Sequence, residues 1–442
     1  MPAQAPLPGP DPLPLLGNVL DVERNLVEAF TRHWHAHGDV FRLRFGPKDV
    51  VVLAHPDDVE HVLHDKAGHY SRLPYRRLER ITGEGLLVSD GATWRRSRRV
   101  LQPLFSKRSV HTLVPDLVAS TDELLDRWHG RARLDDLTHE MGWVTLRAIT
   151  RTLFAWDIRD ELDTFCDDVG VLAGAINSRL VAPPAFDRLP TPANLRFGRA
   201  SRRIQSSVER CIADQRAHGD DEGLLGQLLS ARDDDGQPLS DDQVRDELIT
   251  LFMAGHETTA LTLTWIMNRL SLHPDWYARL VEEVDALDEP LSAASLRQLP
   301  LTMQVVQEVL RLHPSAWVFP RRTTAPDTLP SGHTVPVDAG VLLSPYLSHR
   351  HPDYWDNPLG FDPTRFGPDA PKRHPCAYYP FGRASRMCIG RELALVEAVT
   401  ITARMLQRVR ISALQPARDS AQGTLRPASA MPVALTWRPR MH

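Results

Sequence analysis

The stretch Phe381-Gly-Arg-Ala-Ser-Arg-Met-Cys-Ile-Gly390 runs straight into Arg-Glu-Leu-Ala-Leu-Val-Glu-Ala, which sets Cys388 in a glycine-bounded loop ahead of a helix-forming run. Gly382 and Gly390 let the backbone pass close to something flat or bulky. A helix opening near Gly390 turns its unpaired N–H groups and the positive end of its dipole toward the sulfur. Arg386 and Arg391 add positive charge, and all of these favour thiolate over thiol. One thiolate on a rigid loop is what a single axial metal ligand requires, and haem iron accepts that arrangement. The competing reading is a buried structural cysteine, the commoner role for a lone cysteine.

Outward from this loop, Ser240-Asp-Asp-Gln243 is a capping box, and the helical pattern after it runs without proline to Leu272. That predicts a helix of about 48 Å. Thr250, Ala254, Glu257, Thr258 and Leu261 fall on one stripe of it. Glu257 and Thr258 place an acid beside a hydroxyl, a pairing suited to proton delivery. His256-Glu257 also opens the zinc pattern H-E-x-x-H, but position 260 is alanine, so the second ligand is missing. Glu308 and Arg311 are three apart on a helical run, and Trp94 and Arg98 four apart on another, so each pair shares a face.

The ten-residue loop resembles the haem-binding loop of the cytochrome P450 family, F-x-x-G-x-R-x-C-x-G, matching at Phe381, Arg386, Cys388 and Gly390. Ala384 stands where the family usually has glycine, and if that position needs φ > 0 it costs about 1 kcal/mol. Further motifs in family order extend the resemblance over nearly the whole chain. It implies a mainly α fold with a smaller β region, a haem b lying between the long helix and the cysteine loop, and O2 as co-substrate. Ala254-Gly-His-Glu-Thr-Thr259 resembles the family's oxygen-binding motif, which implies that Gly255 lets the helix open and that Glu257 and Thr258 are catalytic. Trp94, Arg98 and Arg322 would contact haem propionates, and Ala254 would border the haem.

By the same resemblance Glu308, Arg311 and Arg365, the last within Phe361-Asp-Pro-Thr-Arg-Phe366, hold the haem-loop region structurally. Met253, Ala254, Ala316, Trp317, Val318, Phe319 and Met431 would line a substrate pocket. Residues 66–90 would cover that pocket, Val181 to Pro190 would form a lid, and Leu425 to Val433 would be a last hairpin. The expected activity is insertion of one oxygen atom into a C–H or C=C bond of a lipophilic molecule, whether terpenoid or carotenoid, fatty acid or polyketide-like. The electrons would come from a separate ferredoxin or flavodoxin with its NAD(P)H-dependent reductase, since only 54 residues follow Cys388. Arg95, Arg96 and Arg99 would offer an acidic electron donor a positive surface. A peroxide-driven or non-oxidative haem–thiolate enzyme and a non-catalytic haem-binding sensor are the alternatives. The acid–alcohol pair argues against the first, and the absence of an output segment against the second.

Composition agrees. The chain has 442 residues, 42% hydrophobic and 24% charged, with no linker or repeat to divide it. We therefore expect a single catalytic domain over 1–442, β-rich near 36–60 and 315–350. A net charge of −4 and a pI of about 6.6 give nucleic acid nothing to bind. Four dispersed cysteines form no C-x-x-C pair, which fits a reducing, cytoplasmic setting. No signal-peptide pattern and no apolar run of about 20 residues is present, so the expectation is a monomer without a transmembrane anchor.

Overall fold

Alternation in Val40–Phe45 and a valine-rich run in Lys48–Leu53 make an antiparallel hairpin, β1 and β2, turning at Gly46 with φ of 59°. Val40 faces Leu53 and Phe45 faces Lys48. With β3 (Tyr70–Ser71), β4 (Phe319–Thr323) and β5 (Gly340–Leu343) they form one sheet in the order β1-β2-β5-β4-β3. β2 and β5 are parallel and the other pairs antiparallel. Period two assigns the faces. Phe41, Leu43 and Val52 pack with Phe30, Trp34 and Trp317, while Val40, Val51, Leu53 and Val341 pack with Tyr379.

The computed structural model describes residues 7–22, 25–65, 67–72, 75, 78–154, 156, 158, 161–181, 189–218, 223–232, 236–287 and 290–439. The sheet belongs to a compact unit made of Met1–Tyr75, Gln307–Cys388 and Arg418–Ala428. A second, helix-rich unit comprises Arg76–Val306, Ile389–Ala417 and Ser429–His442. Its long helix spans Asp241–Leu272. Ser240 Oγ accepts the Gln243 N–H at 3.2 Å and Gln243 Oε1 accepts the Ser240 N–H at 3.0 Å, so the capping box forms in full. Pro274, two residues past its end, opens the next helix. The long helix packs against Leu137–Thr152, Pro192–His218 and Arg391–Arg408, which explains why so few of its side chains are polar and exposed. Among the described residues no helix is long and apolar enough to cross a membrane.

Two sheet expectations are corrected. Thr334–Val335 does not join the main sheet but pairs with Asp327–Thr328 in a two-stranded ribbon, because Pro336 has no N–H with which to extend it. Leu425 to Val433 is not one hairpin. Leu425–Pro427 pairs with Asp419–Ala421, whereas Val433–Trp437 pairs with Val409–Ala413 and Arg133–Leu134. Pro427 and Pro432 remove the donors that a ladder between the two segments would need. The expected lid, Val181 to Pro190, lies almost wholly outside the described residues.

Candidate active site

Cys388 differs from the other three cysteines. Cys166, Cys211 and Cys376 are buried, and burial pushes each thiol up to about 12, so they are inert. Cys388 is exposed. Its N–H donates to the Phe381 carbonyl at 2.8 Å, closing the loop on itself. Between them the chain turns through Gly382 at φ 66° and Ala384 at φ 56°, and a short 3₁₀ turn runs from Ala384 to Arg386. The left-handed conformation at Ala384 is the one in which alanine pays for its Cβ. A Cβ added to Gly382 would lie 3.7 Å from the Phe319 ring, so that ring packs directly on the loop. Gly390, at φ −84°, needs no glycine for its own dihedral.

In the same unit the structure brings Glu308, Arg311 and Arg365 together. Arg311 clasps Glu308 with two hydrogen bonds, Nε to Oε2 at 2.7 Å and Nη2 to Oε1 at 2.8 Å, and neither side chain is exposed at all. Arg311 also donates to the carbonyls of His349, Pro358 and Gly360. Glu308 Oε1 accepts the Asp362 N–H at 2.8 Å and lies 3.6 Å from Arg365 Nε. The node thus fastens residues 349–365 to one helix turn. His349 Nε2 accepts the Tyr379 N–H at 2.9 Å, which carries the tie to within two residues of Phe381.

On the long helix, Ala254 is exposed and Thr258 half-buried although their neighbours on every other side are packed. Thr258 Oγ1 donates to the Ala254 carbonyl at 2.8 Å, and Thr262 Oγ1 to the Thr258 carbonyl at 2.9 Å. Glu257 is buried beside them. His256 turns into the core, 3.9 Å from Cys166, with its carbonyl accepting from Thr145 Oγ1 at 3.2 Å. Burial holds its imidazole down to about 4, hence neutral. The helix stays α-helical through Gly255, contrary to the expected opening. A Cβ there would meet Ile149 Cδ1 at 3.1 Å, so close packing is what demands glycine.

Trp94, Arg95, Arg98, Arg99 and Phe105 line an open concavity of about 560 Å³. Arg98 Nε donates to Gln102 Oε1 at 2.7 Å. Two aromatic rings and three guanidiniums form a donor set for a flat, apolar group carrying carboxylates. Arg322 is bound by the Asp338 carboxylate in the described structure. Two pocket expectations are corrected. Trp317 is 3% exposed, packs edge-on against Phe30 and spends its indole N–H on the Gln422 carbonyl at 2.8 Å. Met431 is equally buried, its N–H held by Asp136 and its carbonyl by the Leu137 N–H. Met253 is buried, whereas Ala316, Val318 and Phe319 are half-buried.

Among the described residues one group of potential metal ligands converges, Asp39, His55 and His351. His55 and His351 each accept a backbone N–H at Nδ1, from Asp57 and Asp353, which leaves the proton of a neutral ring on Nε2. Nε2 of His351 spends that proton on Asp39 at 3.2 Å. The group is a closed hydrogen-bond network, and the tautomers oppose a metal.

Sequence reasoning missed three polar side chains early in the long helix, Asp246, Glu247 and Thr250, as anchors for Gly83-Glu-Gly85. The pairing is non-local, and the one available hint was the glycine spacing.

The sequence matches the cytochrome P450 family profile over residues 7–430. It is 33% identical over 418 residues to pentalenene oxygenase of Streptomyces avermitilis, covering 93% of this chain and 92% of that protein. It is likewise 33% identical over 414 residues to cyclooctat-9-en-7-ol 5-monooxygenase of Streptomyces melanosporofaciens, covering 91% and 88%. The crystal structure of the cytochrome P450DA heme domain superposes with a TM-score of 0.89 at 24% identity, covering 99% of this chain and 98% of that one.

Proposed function

This chain belongs to the cytochrome P450 family and has its fold, and from that premise we propose that Cys388 holds a haem b with which the enzyme oxygenates a cyclic terpenoid. It is a P450 monooxygenase, and the proposed step puts one oxygen atom from O2 into a C–H or C=C bond of that substrate. The observation that carries this reading is the open face Ala254–Thr258, where a hydroxyl adjoins a buried carboxylate on an otherwise packed helix. Relatives named for pentalenene and cyclooctat-9-en-7-ol supply the terpenoid class. Half-buried Ala316, Val318 and Phe319, with Ala254 and Met253, are apolar and offer such a molecule no polar partner.

Bound haem–thiolate supplies the activation of O2 and the cleavage of its O–O bond. The loop closed by Cys388 N–H and the Phe381 carbonyl fixes where Sγ points. Trp94, Arg98 and Arg386 are the residues we assign to the face and carboxylates of the group, with Arg322 joining them on release from Asp338. Thr258 keeps its hydroxyl proton on the Ala254 carbonyl, and a rotation about χ1 frees it for a guest on that face. Glu257, one residue earlier, restores that proton. Two electrons come from an external ferredoxin or flavodoxin, for which Arg95 and Arg99 beside the concavity provide positive charge.

The purified protein is reduced, carbon monoxide is added, and the Soret band is recorded for wild type and Cys388→Ala. A strongly red-shifted band lost in the variant supports thiolate ligation by Cys388. An unshifted band unchanged by the substitution refutes it. Titration with terpene hydrocarbons, fatty acids and macrolactones, followed by product analysis, then tests substrate class. Turnover confined to fatty acids or macrolactones would overturn the terpenoid assignment.

A further inference from the structure

Residues 82–86 have no regular secondary structure of their own beyond Thr82, yet they are held tightly against the long helix. The Glu84 N–H donates to Asp246 Oδ2 and the Leu86 N–H to Glu247 Oε2, both at 2.9 Å. Thr250 Oγ1 reaches the Thr82 carbonyl at 3.5 Å. The approach is close enough to exclude any side chain. A Cβ on Gly83, already at φ 57°, would lie 2.1 Å from the Asp246 carboxyl, and one on Gly85 would lie 2.0 Å from Thr250 Oγ1. Glu247 is 4% exposed; burial raises its carboxyl, and hydrogen bonds from Ser97 and the Leu86 backbone oppose that rise. Arg245 steadies the other oxygen of Asp246 at 3.1 Å.

Thr250, Ala254 and Thr258 are four apart, so Gly85 covers the stripe that carries the open face, about 12 Å before Thr258. Leu86 and Val88, both buried, follow directly. We infer that Asp246, Glu247 and Thr250 are positioning residues that clamp residues 82–88 as the end wall of the space over Ala254 and Thr258, and so set the length of molecule admitted there. This rests on the haem-enzyme reading above. Two carboxylates spent on backbone N–H groups of a loop are a strong tether, each such bond being worth about 1.5–3 kcal/mol.

The test uses haem-loaded wild type, Glu247→Ala, Glu247→Gln and Asp246→Ala. Hydrogen exchange of the 82–88 amides is measured first, then binding of 1-alkylimidazoles from methyl to dodecyl by the Soret shift. Glu247→Ala should raise exchange of the segment by about tenfold or more, the loss of one hydrogen bond to a charged acceptor. It should also extend the tolerated alkyl length while leaving methylimidazole affinity unchanged. Glu247→Gln, whose amide oxygen still accepts the Leu86 N–H, should restore both. Asp246→Ala, a less buried site, gives the same signature in milder form and serves if Glu247→Ala does not fold. Unchanged exchange overturns the clamp, and fast exchange with an unaltered chain-length profile overturns its role in selecting length. Failure of every azole to bind wild type would instead sink the haem reading, leaving the exchange data to judge the clamp alone.

Discussion

Glu308 and Glu257 are both carboxylates inside helices, and their surroundings are opposite in kind. Glu308 is fully enclosed and its oxygens take Arg311 twice and the Asp362 N–H once, with Arg365 alongside. Nothing is left with which to meet a guest. Glu257 adjoins Thr258, whose hydroxyl is held only by its own helix, on a face that opens outward. A carboxylate whose capacity is spent holds structure, whereas one next to a lightly held hydroxyl can move protons.

The comparison breaks most visibly at the node. Arg311→Leu leaves the Glu308 charge buried and strips donors from three carbonyls, so unfolding free energy should fall by about 3–5 kcal/mol in urea titration. An unchanged denaturation midpoint would show that the node is not structural. Thr258→Ala should do the reverse, leaving stability within about 0.5 kcal/mol while slowing product formation about 10²-fold. The readout is product formed per electron consumed, and a fall should be matched by released hydrogen peroxide. Equal product yield in the variant would remove Thr258 from proton delivery.

Glu397 sharpens the contrast, as a third buried helical carboxylate. It is 2% exposed and its Oε1 has no hydrogen-bond partner, so burial raises its carboxyl to about 8. A folded value above the unfolded 4.5 means that stability is full below pH 4.5 and is lost as pH rises toward 8. Neutral, buried His256 works the other way, losing stability as pH falls from 6.5 to about 4. Between pH 6.5 and 8 only the Glu397 slope of these two remains, about 2 kcal/mol. Glu397→Gln should abolish it, and urea titrations across that window check the slope. A slope equal to that of wild type would mean that Glu397 is already ionised in the folded protein.

What the sequence made legible was local. Ser240 and Gln243 announce the long helix because a capping box is complete within four residues, and Thr250, Ala254 and Thr258 share a stripe by periodicity alone. Glu308 and Arg311 needed only a spacing of three. What stayed hidden depended on distant partners. Trp317 could be assigned to the core only once Gln422 and Phe30 were in place, and Gly255 owes its identity to Ile149 rather than to the helix. The anchoring of Glu84 and Leu86 spans more than 160 residues of chain.

The smallest expected effect concerns the cysteine loop, where strain takes the place of either kind of carboxylate. Gly382 and Ala384 both hold positive φ, and only the first is a residue that does so without penalty. The node and the His349–Tyr379 bond hold the chain leading into the loop, so the turn persists in spite of its alanine. Ala384→Gly should therefore stabilise the protein by about 1 kcal/mol less the extra freedom that glycine gains when unfolded. Thermal melting with and without Arg311→Leu separates the terms. If the node enforces the turn, the gain from Ala384→Gly shrinks once Arg311 is removed, because a relaxed loop no longer holds Ala384 at positive φ. An equal gain in both backgrounds would place the constraint inside the loop itself, in the hydrogen bond from Cys388 to Phe381.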